Sequence, residues 1–418
     1  MTGSRVWHPF TQHGLGDPVG LVTHASGALL HTADGREVID AISSWWVTTH
    51  GHCHPRIMAA IREQTARLDQ VIFAGWTHEP AESLARELCR ILPQELTRVF
   101  FSDSGSTAVE VALKMALGYF ANRAEGRSQI VVMDHSYHGD TIGAMSVGAR
   151  GVFNAAYAPL LFDVGRVPFP GRDPQATLDA LDRECEGGAA AFIVEPLVLG
   201  AGGMLVYPPE VLGEMRRICA RHGTLFIADE VMTAWGRTGT LTACEQAGVV
   251  PDIMCLSKGL TGGAMPLAVT MASEAIWDAH FSTDRSRTFY HSSSYTANPI
   301  ACAAANANLA IWREEPVLGR IADLAARQAQ HLARMENHPA VSNARQCGTI
   351  AALELGETAG SYLSDLGPRL LKRFRAADLL LRPLGNTVYV MPPYCITPDQ
   401  LARVWSEIGA AADDLVPA

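Results

Sequence analysis

The feature that most constrains the fold is an alternation of short apolar runs with helical patterns in the first two thirds of the chain. Six runs have the length and character of buried strands, at 99–102, 130–134, 191–196, 225–231, 253–257 and 267–272. Most are separated by segments with helical periodicity, at 107–121, 174–185 and 209–221. Because parallel strands need a crossover that is usually a helix, this alternation predicts an α/β fold with a mostly parallel central sheet.

The last hundred residues have a different pattern and predict a second, smaller unit. Long helical patterns and short strand-like pieces alternate there, with helices expected at 299–313, 317–336, 361–376 and 398–413. We therefore expect a large domain over 55–310 and a small α+β domain over 311–418, with an N-terminal segment (1–54) that packs with the small domain.

Composition excludes several classes of protein. The 418 residues contain 33 Lys+Arg and 43 Asp+Glu, a formal net charge of −10, whereas proteins that bind phosphate backbones are usually basic. No apolar run reaches the roughly 18 residues of a membrane span, and the N-terminus has no apolar core typical of a signal peptide. The nine cysteines are scattered and form no C-x-x-C. We expect a cytoplasmic protein that binds neither nucleic acid nor membrane.

Lys258 is one of only three lysines, and it is the one that lies outside a helical pattern. It directly follows the apolar run 253–257 and precedes a glycine-rich turn. Partial burial at the end of a strand would favour the neutral amine, which is the form that attacks a carbonyl. The alternative is a lysine in an ordinary loop.

Asp229 ends the apolar run LFIAD, 29 residues before Lys258. A carboxylate in that place needs a cationic partner, because burial without one costs several kcal/mol. A protonated pyridine nitrogen would be such a partner, and the ion pair would make the ring an electron sink. The alternative is a salt bridge to an arginine such as Arg237.

Two more segments follow predicted strands and suit a phosphate and an aromatic ring. Ser104-Gly105-Ser106 precedes a helix, and Thr107 with Glu110 fits a capping box, so backbone N–H groups at the helix start could bind a phosphate. A helix with an ordinary cap has the same pattern. The segment 133–141, MDHSYHGDT, could place an aromatic side chain against a ring, or it could be a polar loop.

Two remaining patterns suggest weaker hypotheses. The histidines of THGHCHP (49–55) alternate as metal ligands on a strand can, but their spacing matches no zinc signature, and we expect no metal. Arg382 lies beside the strand-like NTVYVMPP, where its guanidinium could bind a carboxylate through two hydrogen bonds. The alternative for Arg382 is an ordinary surface arginine.

The order of these segments resembles the class III, fold-type I aminotransferases, which use pyridoxal 5′-phosphate. SGS before a helix, YHGDT, ADEV, SKGLTGG and a polar loop ending in NP occur in the same order, over nearly the whole chain. Within that class, WHPFTQ (7–12), AISSWWVTTHGHCHP (41–55) and RPLGNTVYVMPPY (382–394) are similar to the enzymes that convert 8-amino-7-oxononanoate into 7,8-diaminononanoate in biotin biosynthesis. The resemblance implies that activity, with S-adenosyl-L-methionine or lysine as amino donor.

The resemblance also implies roles for residues that contact the cofactor. Lys258 would form the covalent bond to it and then move a proton, Asp229 would pair with the pyridinium nitrogen, and Tyr137 would stack on the ring. Gly105 and Ser106 would bind the phosphate.

Further implied roles concern the substrate and a partner subunit. Ser294 would reach the phosphate of the neighbouring subunit, so the active site would lie at the interface of a homodimer. Arg382 would bind the carboxylate of the keto acid, and Trp45 would cover its aliphatic chain. The residues expected to line the substrate site are Trp45, Tyr137, Asp140, Arg237, Ser292, Arg382 and Tyr389.

Three departures leave the amino donor open. Phe10 stands where the adenosylmethionine-using enzymes carry tyrosine, the segment 291–295 reads HSSSY instead of HGPTF, and Leu199 replaces a glutamine found in many relatives. By contrast, Trp45-Trp46 is the adenosylmethionine-type pair.

Three other functions are alternatives to this one. The nearest is an ω-amino acid:pyruvate or diamine aminotransferase of the same class. A non-catalytic binding protein of this fold is disfavoured because Lys258 and Asp229 are both retained. A metal-dependent hydrolase built on the histidines is disfavoured by their spacing.

Overall fold

The computed structural model describes residues 4–356 and 365–416, so part of the helix predicted over 361–376 lies outside the described residues. Its strands are β1 Val22–Ser26, β2 Leu29–Thr32, β3 Glu37–Asp40, β4 Leu96–Ser102, β5 Ile130–Met133, β6 Gly165–Val167, β7 Ala191–Val194, β8 Val198–Leu199, β9 Leu205–Val206, β10 Leu225–Asp229, β11 Ile253–Leu256, β12 Ala268–Ser273, β13 Val341–Cys347, β14 Ile350–Leu355, β15 Leu379–Leu380 and β16 Thr387–Val390. Its helices are α1 Ser43–Trp46, α2 Pro55–Thr65, α3 Glu79–Ile91, α4 Gly105–Asn122, α5 Ile142–Ser146, α6 Pro174–Glu186, α7 Pro209–His222, α8 Glu274–His280, α9 Pro299–Glu314, α10 Val317–Met335, α11 Leu366–Ala376 and α12 Pro398–Asp413.

The central sheet has seven strands in the order β4-β12-β11-β10-β7-β5-β6. The strands from β11 to β6 pair in parallel, and β12 runs antiparallel to both β11 and β4. The predicted α/β fold with a mostly parallel sheet is therefore confirmed. Every residue of β5, β7, β10 and β11 is buried, which explains why these strands stand out in the sequence as continuous apolar runs. The edge strand β6 was not predicted, because three residues are too few to form a pattern.

Two smaller sheets contain the N-terminal strands and the C-terminal region. One has the order β1-β2-β3-β15, in which β15 of the C-terminal region pairs in parallel with β3 of the N-terminal segment. The other has the order β13-β14-β16. The domain division 1–54, 55–310 and 311–418 stays a prediction, and its second boundary falls within α9. No helix in the described ranges is both long enough and apolar enough to cross a bilayer.

The sheet order brings several loops together at one edge. Parallel strands end on the same side of a sheet, and in open α/β sheets that side is where ligands bind. β4 also ends there, because two successive antiparallel pairings restore its direction to that of β11. The loops that follow β4, β5, β7, β10 and β11 therefore surround a common space.

Candidate active site

A pocket lies at this edge of the central sheet, and residues from all five loops line it. The lining residues are Trp46, Ser104, Gly105, Ser106, Tyr137, His138, Gly139, Glu195, Asp229, Val231, Met232 and Lys258. Five residues that the sequence suggested as cofactor contacts are thus brought together, although they are far apart in the chain. They are Gly105, Ser106, Tyr137, Asp229 and Lys258.

Lys258 follows β11 by two residues and begins a short 3-10 turn. Its φ of 47° is in the left-handed region, which costs a non-glycine residue energy and is often found at functional sites. The Nζ atom lies 4.8 Å from the centroid of the Trp46 ring. Burial lowers the pKa of Lys258 to about 8, although the carboxylates of Asp229 and Glu195 act in the opposite direction. The side chain is therefore a neutral amine far more often than a lysine in water.

Asp229 is the last residue of β10, and both of its carboxylate oxygens have partners. Oδ2 lies 2.6 Å from Nδ1 of His138, and Oδ1 accepts a hydrogen bond from the backbone N–H of Val231 at 3.1 Å. The alternative partner, Arg237, is instead fully buried and donates to the backbone oxygens of Pro392 and Thr48, at 2.9 Å each. The suggested salt bridge between Asp229 and Arg237 is therefore wrong.

The start of α4 borders the pocket through Ser104, Gly105 and Ser106. A Cβ atom at position 105 would lie 2.6 Å from Cγ1 of Val231, so only glycine fits between this helix and the end of β10. The first backbone N–H groups of a helix have no partner within the helix, and they suit an anionic ligand.

The cap of α4 differs from the one suggested by the sequence. The N-cap is Ser104, whose hydroxyl accepts from the backbone N–H of Thr107, while the Thr107 hydroxyl accepts from the N–H of Ser104. The capping box over Thr107 and Glu110 is therefore wrong. Glu110 lies one turn into the helix, where it accepts from the hydroxyl of Thr141 and the N–H of Gly143.

Tyr137 lies on the loop after β5, and its backbone N–H donates to Oε1 of Glu195 at 2.9 Å. Burial, followed by the nearby carboxylate of Asp140, raises the pKa of Tyr137 above its usual range. The phenol is therefore neutral at physiological pH and presents an uncharged ring to the pocket. The backbone N–H of Asp140 donates to the hydroxyl of Ser106 at 3.1 Å, so this loop is joined to the start of α4.

The lining residues that were not predicted as site residues include Trp46, His138 and Glu195. His138 is buried, and its Nε2 atom has no hydrogen-bond partner among the described residues. Burial, followed by the charge of Asp229, raises the pKa of Glu195 to about 7. Glu195 directly follows β7, so the end-of-strand pattern that identified Asp229 would also have identified it.

Arg382, Trp45 and Phe10 form an aromatic cluster that includes a cation. The Arg382 guanidinium carbon lies 5.5 Å from the centroid of Trp45, and Nη2 donates to the backbone oxygen of Phe10 at 2.9 Å. The Phe10 ring lies 5.3 Å from the Trp45 ring. Trp45 precedes the pocket residue Trp46 in a turn where Ser43, Ser44 and Trp46 have positive φ.

The other predicted substrate residues, and the predicted phosphate contact Ser294, lie outside the pocket lining. Tyr389 is buried in β16, and its hydroxyl accepts from Nε1 of Trp46 at 2.9 Å, so it contacts the pocket through that tryptophan. Arg237 is enclosed among backbone carbonyls. Ser292 and Ser294 are exposed on the loop before α9, and the backbone oxygen of Ser294 accepts from Nε2 of Gln70 at 2.8 Å.

Two of the alternating histidines, His50 and His52, have separate protein partners. Nε2 of His50 lies 2.9 Å from Oδ1 of Asn308, and Nε2 of His52 lies 2.8 Å from Oδ2 of Asp40. Burial lowers the pKa of His50 to about 4, so this ring is neutral. Within residues 4–356 and 365–416, no group of three or more histidine, cysteine or acidic side chains could hold a metal ion.

The sequence profile of the family described as aminotransferase class-III matches residues 12–411. The chain belongs to the class III aminotransferase family. It is 49% identical to a Synechococcus elongatus protein named adenosylmethionine-8-amino-7-oxononanoate aminotransferase, over 98% of this chain and 99% of the relative. A protein of the same name from Nitratidesulfovibrio vulgaris is 40% identical, over 96% of this chain and 79% of the relative.

Solved structures of this family match the whole fold. The crystal structure of adenosylmethionine-8-amino-7-oxononanoate aminotransferase from Methanocaldococcus jannaschii has a TM-score of 0.94 at 30% identity, covering 99% of this chain and 98% of that one. An amine transaminase from an uncultivated Pseudomonas species, in a form with bound pyridoxal 5′-phosphate, has a TM-score of 0.92 at 33% identity, covering 99% of both chains. Class III aminotransferases use pyridoxal 5′-phosphate, and the fold is fold-type I.

The residues of the pocket fit this cofactor. The amine of Lys258, with its lowered pKa, suits the aldehyde of the cofactor, and the buried carboxylate of Asp229 suits its ring nitrogen. The start of α4, where a Cβ atom at position 105 would not fit, suits its phosphate. The buried Nε2 atom of His138 has no hydrogen-bond partner among the described residues, so it can bind a polar atom of a ligand in the pocket.

Proposed function

We propose that this chain is a pyridoxal-phosphate-dependent aminotransferase that converts 8-amino-7-oxononanoate into 7,8-diaminononanoate in biotin biosynthesis. The proposal rests on one observation: Lys258, Asp229 and the start of α4 line the same pocket in a chain of the class III family. The choice of acceptor is supported by full-length similarity to proteins named for it. For the amino donor we propose S-adenosyl-L-methionine, with lysine as the competing donor.

Pyridoxal 5′-phosphate, when bound, supplies an electron sink for the carbon next to the transferred amine. Asp229 would hold the proton on the ring nitrogen, with its carboxylate oriented by His138 and by the N–H of Val231. Lys258 would attack the cofactor as a neutral amine, and once released it would carry the proton between substrate and cofactor carbons. Tyr137 would stack on the ring.

The phosphate would lie against the start of α4. Gly105 and Ser106 would donate backbone N–H groups, and the absence of a Cβ at position 105 allows close approach. The Ser106 hydroxyl already accepts from the N–H of Asp140, so its own hydrogen remains available to a phosphate oxygen.

The acceptor would enter past the cluster of Phe10, Trp45 and Arg382. Arg382 carries five N–H donors, which suits bidentate binding of the carboxylate at the end of the substrate chain. Trp45 is 44% exposed, so it offers apolar area to the aliphatic part of the substrate. Asp140, Arg237, Ser292 and Tyr389 remain proposals as substrate-site residues.

We further propose a cytoplasmic homodimer in which Ser294 reaches the phosphate bound by the partner subunit. The supporting observation is an exposed apolar surface beside this residue, where Ile72, Trp76 and Tyr295 are each more than 60% exposed. Gln70, two residues before Ile72, donates a hydrogen bond from Nε2 to the backbone oxygen of Ser294, so this surface lies next to Ser294. A cytoplasmic location is supported by nine free cysteines.

A second candidate is an ω-amino acid:pyruvate or diamine aminotransferase. It is favoured by the TM-score of 0.92 with the amine transaminase from Pseudomonas, which is also 33% identical. This function would use the same Lys258 and Asp229, and it differs only in the donor and the acceptor.

A visible absorption experiment tests the proposal. The purified protein with pyridoxal 5′-phosphate should show a band near about 420 nm, the region typical of the lysine-bound cofactor. S-adenosyl-L-methionine should bleach the band, and 8-amino-7-oxononanoate should restore it. If only alanine bleaches it and pyruvate restores it, the second candidate is correct. If no band forms with added cofactor, the proposal is wrong.

A further inference from the structure

Glu195 is a buried carboxylate in the pocket with no role in the function proposed above. It follows β7, which lies in the sheet between β5 and β10. Residues at the carboxyl end of β7 are therefore placed between the loop that carries Tyr137 and the end of the strand that carries Asp229. Only 5% of Glu195 is exposed, so its charge must be satisfied by the groups around it.

The two carboxylate oxygens of Glu195 bind two different loops. Oε1 accepts from the backbone N–H of Tyr137, and Oε2 accepts from the backbone N–H of Gly200, both at 2.9 Å. Two backbone N–H groups from separate segments thus donate to one buried side chain, which holds the two segments in a fixed relation. The intervening Leu197 has a φ of 64°, a strained conformation for leucine that needs such support.

Gly200 lies against two of the side chains that line the pocket. A Cβ atom at this position would lie 3.0 Å from Cε of Met232 and 3.2 Å from Cζ3 of Trp46. Both of these side chains line the pocket, and Trp46 is the ring that faces Nζ of Lys258. Displacing Gly200 would therefore displace the wall against which the lysine amine lies.

We infer that Glu195 is a positioning residue of this site, which ties the loop of Tyr137 to the wall formed by Trp46 and supplies a second negative charge facing Lys258. This inference rests on the proposed function, since it concerns the same lysine and the same pocket. Above its own pKa of about 7, Glu195 is a carboxylate that favours the protonated form of Lys258, and Asp229 acts in the same direction. The titratable groups that face Glu195 are Tyr137, His138, Tyr207, Asp229 and Lys258.

Glu195→Gln tests the inference, because it keeps the shape but removes the charge and one acceptor oxygen. In the holoenzyme, the pH midpoint of the visible cofactor band should move downwards by roughly one unit, since a nearby negative charge no longer favours the protonated nitrogen. The kcat value should fall, because the wall of Trp46 is no longer fixed. A purely structural role would lower the Tm without moving the midpoint.

The chain offers a matched control in Glu230. This residue is also fully buried at the end of a strand, and it accepts from the backbone N–H groups of Ala243 and Cys244, at 3.1 and 2.8 Å. It does not line the pocket. Glu230→Gln should therefore lower the Tm and leave the midpoint of the band at the wild-type value.

The outcomes separate this inference from the proposed function. If the wild-type protein shows the band and Glu195→Gln has the wild-type midpoint and kcat, the inference is overturned and the function stands. An equal shift in both glutamine variants would also overturn it. If Glu195→Gln does not fold, Glu195→Asp should keep the midpoint, since the charge remains, and lower kcat, since the shorter side chain cannot reach both N–H groups; an unchanged kcat would overturn the inference.

Discussion

The Nδ1 atom of His138 lies 2.6 Å from the Oδ2 atom of Asp229, and both side chains are buried. His138 lies on the loop after β5 and Asp229 is the last residue of β10, and these two strands are separated in the sheet by β7. With the N–H of Val231 on the other oxygen, this contact fixes the orientation of the carboxylate at the base of the pocket.

Asp229→Asn should lower kcat by roughly 10²–10³-fold, the range typical of removing one fixed electrostatic contact from an active site. The fold should remain, because the asparagine side chain can still bind His138 and Val231. Steady-state kinetics and a thermal melt measure both effects. Asp252→Asn is the matched control, since Asp252 accepts from the N–H of Phe226 before β11, at the opposite edge of the sheet. A wild-type kcat in Asp229→Asn would contradict the proposed role.

Lys258→Ala should abolish transamination and leave the fold intact. The carboxylates of Asp229 and Glu195 keep their own hydrogen-bond partners when the amine is removed, so the Tm should change little. Borohydride reduction followed by mass measurement should find cofactor attached to the wild-type protein and to Lys372→Ala, which alters an exposed lysine of α11. Substantial residual turnover in Lys258→Ala would show that another group forms the covalent bond.

Binding of the cofactor should depend on pH through Lys258. Its pKa is lowered to about 8, mainly by burial, so the neutral amine becomes the main form as pH rises above that value. The rate at which the apoenzyme forms the visible band should therefore increase between about pH 7 and pH 9 and then level off. Stopped-flow absorbance measures this rate. A rate that continues to rise towards pH 10.5, the usual pKa of a lysine side chain, would show that the pocket does not lower the pKa.

Phe10→Tyr tests the amino donor. Phe10 packs against Trp45, and its backbone oxygen accepts from Arg382, so an added hydroxyl would lie beside these two proposed substrate residues. One additional hydrogen bond is worth about 0.5–1.5 kcal/mol, which corresponds to a rise of roughly 2- to 12-fold in kcat/KM for S-adenosyl-L-methionine. The value for 8-amino-7-oxononanoate should stay constant. A rise for lysine instead would identify lysine as the donor that contacts this position.

Several elements of this protein could be predicted from local sequence. The strands β5, β7, β10 and β11 are buried on both faces, so each forms a continuous apolar run. Lys258 and Asp229 stand out because a charged residue at the end of such a run is costly to bury. Glu195 also directly follows such a run, so the same pattern points to it, although it was not among the predicted site residues.

The sequence could not predict contacts that depend on the order of the strands. The alternative partner of Asp229, Arg237, is buried among backbone carbonyls, and the hydroxyl of Tyr389 accepts a hydrogen bond from the pocket residue Trp46. The predicted capping box begins at Thr107, one turn after the observed N-cap Ser104. Thr107 fits both the first and the last position of a capping box, and only the structure shows that it occupies the last.

The sequence by itself therefore determined the fold class, the family, and Lys258 and Asp229 as charged residues at strand ends. It could do so because strands that are buried on both faces form continuous apolar runs, next to which a charged residue is conspicuous. Only the tertiary structure decided which of those residues meet. β7 lies between β5 and β10, and this order places Glu195 between Tyr137 and Asp229 and brings His138 within hydrogen-bond distance of Asp229. Strand order is set by packing between distant segments, and no local pattern encodes it.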